Sequence, residues 1–284
     1  MNNKSKSFEQ DYINYYLKKV EYIENKYPNI TEKGRRTGRA LKNICFFIWS
    51  YTKDENDETI NLLLKASVLL SAQDDFYDNI IVDNKQKLEF YSACENVITG
   101  EKYQAIRQSQ QFIELINLWK EIVKEVSCAP EHLYLYWQRK AMELNTAMII
   151  ENSILRKNNI AFNDYMETSI NSFGIMFIWA TYFTKKNTSN IILKKIDPIL
   201  FIGAKVARLS NDIASHRTEK NKMNAVNIVK HKKSAKIYIL NLIKKEQDKF
   251  NKRLLRVKIE EEIKQAIKKS VDFLVAFYKT SDFD

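Results

Sequence analysis

The scarcity of chain-breaking residues constrains this sequence most: 284 residues hold only 5 Gly and 3 Pro. A sheet protein of this length reverses direction many times, and tight reversals draw on Gly, Pro and their polar companions. Helices need far fewer such residues, so the chain is read as mostly helix. Apolar residues recur at i, i+3, i+4 and i+7 over the runs 7–26, 32–52, 56–79, 84–99, 102–126, 130–157, 161–185, 188–217, 233–250 and 254–279. Punctuation separates them at Pro28-Asn29, from Lys53 to Asp57, at Thr99-Gly100, at Ala129-Pro130 and at Asp197-Pro198. The three prolines are expected where helices start or stop. No repeat, low-complexity linker or shift in composition marks a second domain. One all-α domain over residues 1–284 is expected, with 1–7 flexible, and a hydrophobic fraction of 45% is ample for its core.

A net charge of +11 raises the reading of a basic helical nucleic-acid-binding protein. Much of the excess lies between Lys230 and Lys269, where acidic residues and an apolar helical period are interleaved with it. That is the pattern of solvated helix faces, so no nucleic-acid partner is expected. A basic rim can still draw in a polyanionic substrate. No apolar stretch approaches the ~20 residues that span a bilayer, and the first residues, Met1 to Ser7, do not read as a signal peptide. A soluble, cytoplasmic chain with no membrane partner is expected. Cys45, Cys94 and Cys128 lack metal-ligand spacing and are expected as reduced, buried thiols. With three histidines, zinc or triad chemistry has little to draw on.

Chemistry enters with two acidic segments. Asp74, Asp75 and Asp78 lie within Ala72 to Asn79, and on a helix Asp74 and Asp78 share a face with Asp75 beside them. Far downstream, Asn211, Ser215 and Glu219 repeat oxygen-bearing side chains at i, i+4 and i+8. His216 lies off that face. A carboxamide, a hydroxyl and carboxylates are hard ligands, suited to Mg²⁺ or Mn²⁺ rather than to zinc.

The order DDxxD, then NDxxSxxxE at long range, resembles the signature of class I terpene synthases. Asp74, Asp75 and Asp78 match the first motif; Asn211, Asp212, Ser215 and Glu219 match the second. The resemblance extends to the whole chain, whose length is close to that of one catalytic domain of the family. It implies a single-domain helical bundle around a central active-site cavity. Three Mg²⁺ ions, replaceable by Mn²⁺, would sit between the two motifs and an isoprenoid diphosphate. The segments 208–226 and 277–283 are similar to those of bacterial labdane-related diterpene synthases. They imply a C20 substrate, geranylgeranyl or copalyl-type diphosphate, converted to a cyclised diterpene plus diphosphate. A sesquiterpene synthase acting on farnesyl diphosphate is the nearest alternative. An isoprenyl chain-elongating synthase ranks lower, since that family carries a second aspartate-rich motif where this chain has Asn211, Ser215 and Glu219. The class II acid motif DxDD does not occur in the chain. A bicyclic substrate would therefore come from an upstream class II cyclase, and a linear one from a prenyltransferase. A homodimer is compatible with the resemblance.

Gly174 interrupts the apolar pattern from Tyr165 to Phe183, at a cost of roughly 1 kcal/mol relative to Ala within a helix. In the family a helix break near this place turns backbone carbonyls toward the substrate. The chain departs from the family in two respects: residues 165–173 contain no Arg or Lys, so the arginine that senses diphosphate is missing, and Tyr278-Lys279 stands near the place of the family's C-terminal Arg-Tyr pair. Arg208, Arg217 and Lys220 are the nearest substitutes. Aromatic faces stabilise a carbocation by ~0.5–2 kcal/mol each. Phe47, Trp137, Phe173, Phe177 and Tyr278 are expected to line the pocket beside Gly174.

Overall fold

The computed structural model describes residues 3–32, 36–79, 82–102, 108–154, 161–186, 188–219 and 235–280. Twelve helices run through them: α1 Asn3–Lys26, α2 Pro28–Thr31, α3 Arg36–Thr52, α4 Asp57–Asp78, α5 Asn84–Thr99, α6 Gln110–Val126, α7 Glu131–Ile154, α8 Phe162–Ser172, α9 Ile175–Lys186, α10 Asn190–Glu219, α11 Ala235–Arg256 and α12 Glu261–Thr280. Among the described residues there is no strand.

Local chemistry sets many of these boundaries. Asn56 caps α4 by accepting from the Thr59 amide. Asp83 and Gln86 form a reciprocal capping box at the start of α5. Gly100 ends that helix at φ 81°, a left-handed conformation that glycine adopts without the Cβ penalty. Ser109 accepts from the Phe112 amide, which explains why α6 starts at Gln110 rather than near 102 as periodicity suggested. The structure also places Asn3 to Ser7 inside α1. Pro198 does not mark a boundary but lies inside α10. Its ring removes only the hydrogen bond to the Lys194 carbonyl, and the remaining turns carry the helix through.

α4 and α9 are the central helices. Leu62, Leu63, Leu64, Ala66, Val68, Leu69 and Ala72 of α4 are all buried, as is α9 from Ile175 to Thr184. A helix that is apolar nearly all round belongs in a core. α4 packs on α3, α6, α7 and α9, while α10 packs on α8, α9, α11 and α12. The two motif-bearing helices thus share α9 as a neighbour and do not pack extensively on each other. Cys45 and Cys94 are buried as expected, but Cys128 is exposed, because it lies in the turn just beyond the end of α6. No described helix is long and apolar enough to cross a membrane.

Candidate active site

Both motifs stand at the carboxyl ends of long helices, and α7 shows that these ends lie at the same end of the bundle. Asn145 of α7 accepts from Gln73 Nε2 at 3.2 Å and from the Tyr77 hydroxyl at 3.4 Å, on the helix that carries Asp74 and Asp78. Glu151, farther along α7, accepts from Arg208 Nη2 at 3.2 Å, on the helix that carries Asn211 and Ser215. Residues 145 and 151 differ by about 9 Å of helical rise. A single helix therefore holds the side chains that anchor the two motifs, less than two turns apart and toward its carboxyl end.

Asp74 is half-buried and Asp78 exposed. Asp75 commits Oδ2 to Thr37, accepting from its amide at 2.8 Å and its hydroxyl at 2.6 Å. That carboxylate caps the start of α3, where amides lack intrahelical partners and the helix dipole favours negative charge. The second aspartate of the motif thereby ties α4 to α3.

On α10, Asn211 is half-buried and Ser215 is buried. Asp212 between them is fully buried and turned toward α8. It accepts from the Tyr165 hydroxyl at 2.6 Å and pairs with Arg208 Nε at 3.1 Å. Arg208 also donates through Nη2 to the Tyr165 oxygen at 3.1 Å. Burial, then the Asp212 carboxylate, pushes the Tyr165 phenol far above its ordinary range, with Arg208 opposing. Burial works against the Arg208 charge, but Asp212, Tyr165 and Glu151 more than compensate, so the guanidinium stays protonated. Expected as a diphosphate ligand, Arg208 is instead built into this buried cluster. The side chains of Arg217 and Glu219, in the last turn of α10, and the whole of Lys220 lie outside the described residues.

Among the described residues, no three His, Cys, Asp or Glu side chains converge as a metal cluster. The motif side chains among the described residues that could hold an ion are the Asp74 and Asp78 carboxylates, the Asn211 amide and the Ser215 hydroxyl. All are hard oxygens, fitting Mg²⁺ or Mn²⁺.

The expected pocket residues fall into two groups. Phe173 and Tyr278 have ring centroids 6.3 Å apart, Tyr278 and Phe277 5.5 Å, Phe277 and Phe273 5.9 Å, and Phe273 and Phe47 6.0 Å. This aromatic seam joins α3, α12 and the end of α8. Trp137 and Phe177 instead pack with Trp119, at centroid distances of 5.4 to 6.3 Å, and all three are essentially inaccessible. Gly174 separates α8 from α9 at φ 77°. A Cβ there would lie 2.2 Å from Leu70 Cδ1, one turn before Asp74 on α4.

Two contributors escaped sequence reading. Lys87 of α5 is buried, and its ammonium donates to the Tyr77 carbonyl in the last turn of α4. That turn gathers three carboxylates at the negative end of the helix and contains no basic residue of its own. Gln73, next to Asp74, is locked by Trp119 Nε1 at 2.9 Å. A lysine in the first turns of a helix and a lone glutamine carry no motif signal; only their burial reveals them.

The model of the family described as terpene synthase family 2, C-terminal metal binding, matches residues 65–238. No curated protein matches the chain. Among solved structures, germacradien-4-ol synthase from Streptomyces citricolor is similar at 10% identity, over 94% of this chain and 91% of that one, with a TM-score of 0.71. Hedycaryol synthase in complex with HEPES is similar at 15% identity, over 93% and 90%, with a TM-score of 0.64. The T181N variant of cucumene synthase is similar at 11% identity, over 84% and 86%, with a TM-score of 0.65. At such identities the likeness is one of fold, and the family model adds the lineage. Because that model spans both motifs and more than half the length, the chain belongs to the terpene synthase family and is an enzyme of its class I, metal-binding branch.

Proposed function

We propose that the chain is a Mg²⁺-dependent class I terpene synthase. It would ionise a C20 isoprenoid diphosphate, geranylgeranyl or copalyl-type, and cyclise the resulting cation. The observation that supports this best is the anchoring of both oxygen-ligand motifs to one short stretch of α7, Gln73 through Asn145 and Arg208 through Glu151. Asp74 and Asp78 on one side, and Asn211, Ser215 and Glu219 on the other, would hold the ions. Divalent ions bound there would neutralise the leaving diphosphate. Arg217 and Lys220 are the cations in sequence nearest to the second motif and would share that task. The aromatic seam from Phe47 to Phe173 would exclude water and face the cation with π-electron density. The C20 assignment rests on the resemblance of segments 208–226 and 277–283 to diterpene-forming enzymes.

Farnesyl diphosphate is the second reading. It is favoured by the bulk of Phe47, Phe173, Phe273, Phe277 and Tyr278, which narrows the space a longer chain would need. Incubation with farnesyl, geranylgeranyl and copalyl diphosphates in Mg²⁺, followed by mass spectrometry of the products, separates the two. A cyclic C20 hydrocarbon or alcohol is expected. A clean cyclic C15 product, with the C20 substrates untouched, would replace the first reading by the second.

A further inference from the structure

The second motif is held by a buried polar cluster that no ligand role explains. Asp212, Tyr165, Arg208 and Glu151 come from α10, α8, α10 and α7, and their polar atoms meet at 2.6 to 3.2 Å in the interior. Burying Asp212 and drawing Arg208 and Glu151 largely out of water is costly, and apolar residues of similar volume would often serve stability as well. The cluster sits where helix orientation matters. Asp212 lies about 100° round α10 from Asn211, so its partners fix the rotation of the helix about its own axis. A side-chain oxygen stands ~6 Å from that axis, and a rotation of about 10° moves it by about 1 Å. Metal–oxygen distances tolerate only about 0.2 Å.

We propose that Tyr165 is a positioning residue for the second motif. Its hydroxyl, bonded to both Asp212 and Arg208, sets the rotation of α10 and so the aim of Asn211 and Ser215. The inference rests on reading those two residues as metal ligands. Tyr165 also lies on α8, the helix that ends at Phe173 and the Gly174 break. One phenol therefore fixes the metal-bearing face and the break relative to each other, with α7 as the common reference through Glu151.

The test uses Tyr165→Phe, which removes one oxygen and keeps the ring. Inorganic diphosphate binding to the full chain is followed by calorimetry at increasing Mg²⁺, with thermal unfolding without metal as a second measurement and Ser215→Ala as a reference variant. Tyr165→Phe is expected to raise the Mg²⁺ concentration for half-maximal binding roughly 10-fold, as losses behind metal ligands do, and Ser215→Ala to raise it as well. A lowered unfolding temperature with an unchanged Mg²⁺ requirement would make Tyr165 merely structural and overturn the proposal. An unchanged requirement in Ser215→Ala also would remove the ligand assignment, and the proposal with it. Should Tyr165→Phe not fold, Glu151→Gln loosens Arg208 from the other side. A higher Mg²⁺ requirement there supports the proposal, and an unchanged one overturns it.

Discussion

Single side chains at this end of the bundle are paired in ways that composition hides. Lys87 is the clearest case, since its charge answers both the α4 dipole and the crowding of Asp74, Asp75 and Asp78. Lys87→Met keeps the apolar stem and removes that answer. The end of α4 is expected to lose about 2 kcal/mol of local stability, the size of a hydrogen bond to a charged group. Hydrogen exchange should then quicken at residues 75–79 while the amides of Leu62 to Leu69 keep their protection. Uniform quickening along α4 would show that Lys87 supports the whole helix instead. The oxygens proposed as ligands could be picked out from the sequence, because spacing by four is a local property. Tyr165 and the Thr37–Asp75 bond could not be, since each acts across a long stretch of chain, and Lys87 could not be, since only its burial against the end of α4 gives its charge a partner. Arg208 was visible, but its burial was not, and burial is what changes its role.

At the level of helices, the junction of α8 and α9 is the most demanding element. Gly174 there carries both a positive φ and the pressure of Leu70. Gly174→Ala is expected to cost about 1–2 kcal/mol for the left-handed conformation and about 1–3 kcal/mol more for overpacking. Adding Leu70→Ala should return the packing part and leave the conformational part, so the two changes will not sum. Chemical denaturation of the single and double variants measures this, and simple additivity would mean that Leu70 is not what Gly174 accommodates. Periodicity read residues 161–185 as one helix broken near its middle, and the break falls at Phe173-Gly174. It read the start of α6 too early because the apolar pattern of 102–126 carries no mark of where the Ser109 cap intervenes. Pro198 ran the other way: a proline taken as a boundary is absorbed by a helix long enough to span it.

For the molecule as a whole, the core and the metal motifs are separable. α4 and α9 are buried along most of their lengths by apolar contacts, and Asp74, Asp75 and Asp78 gather at the carboxyl end of α4. Chelation of divalent ions is therefore expected to abolish turnover and leave the far-ultraviolet dichroism and the cooperativity of unfolding intact. Unfolding on chelation would show instead that the ions are structural. Part of the basic charge is paired with acids, as in Lys205 with Glu246 at 2.9 Å and, on the exposed start of α12, Lys264 with Glu261 at 3.2 Å, in keeping with the interleaving of bases and acids in the sequence. The separation of core from seam also bears on how such an enzyme can diversify. The two central helices have almost no face on which a substitution is neutral, so they are poor places to search for new products. The seam draws mainly on α3 and α12, which keep a side to solvent and can shift or reshape without breaching the core. If the seam is the pocket wall proposed above, variation in Phe47, Phe273 and Phe277 is where a lineage, or a laboratory library, would change the product while the fold stays put.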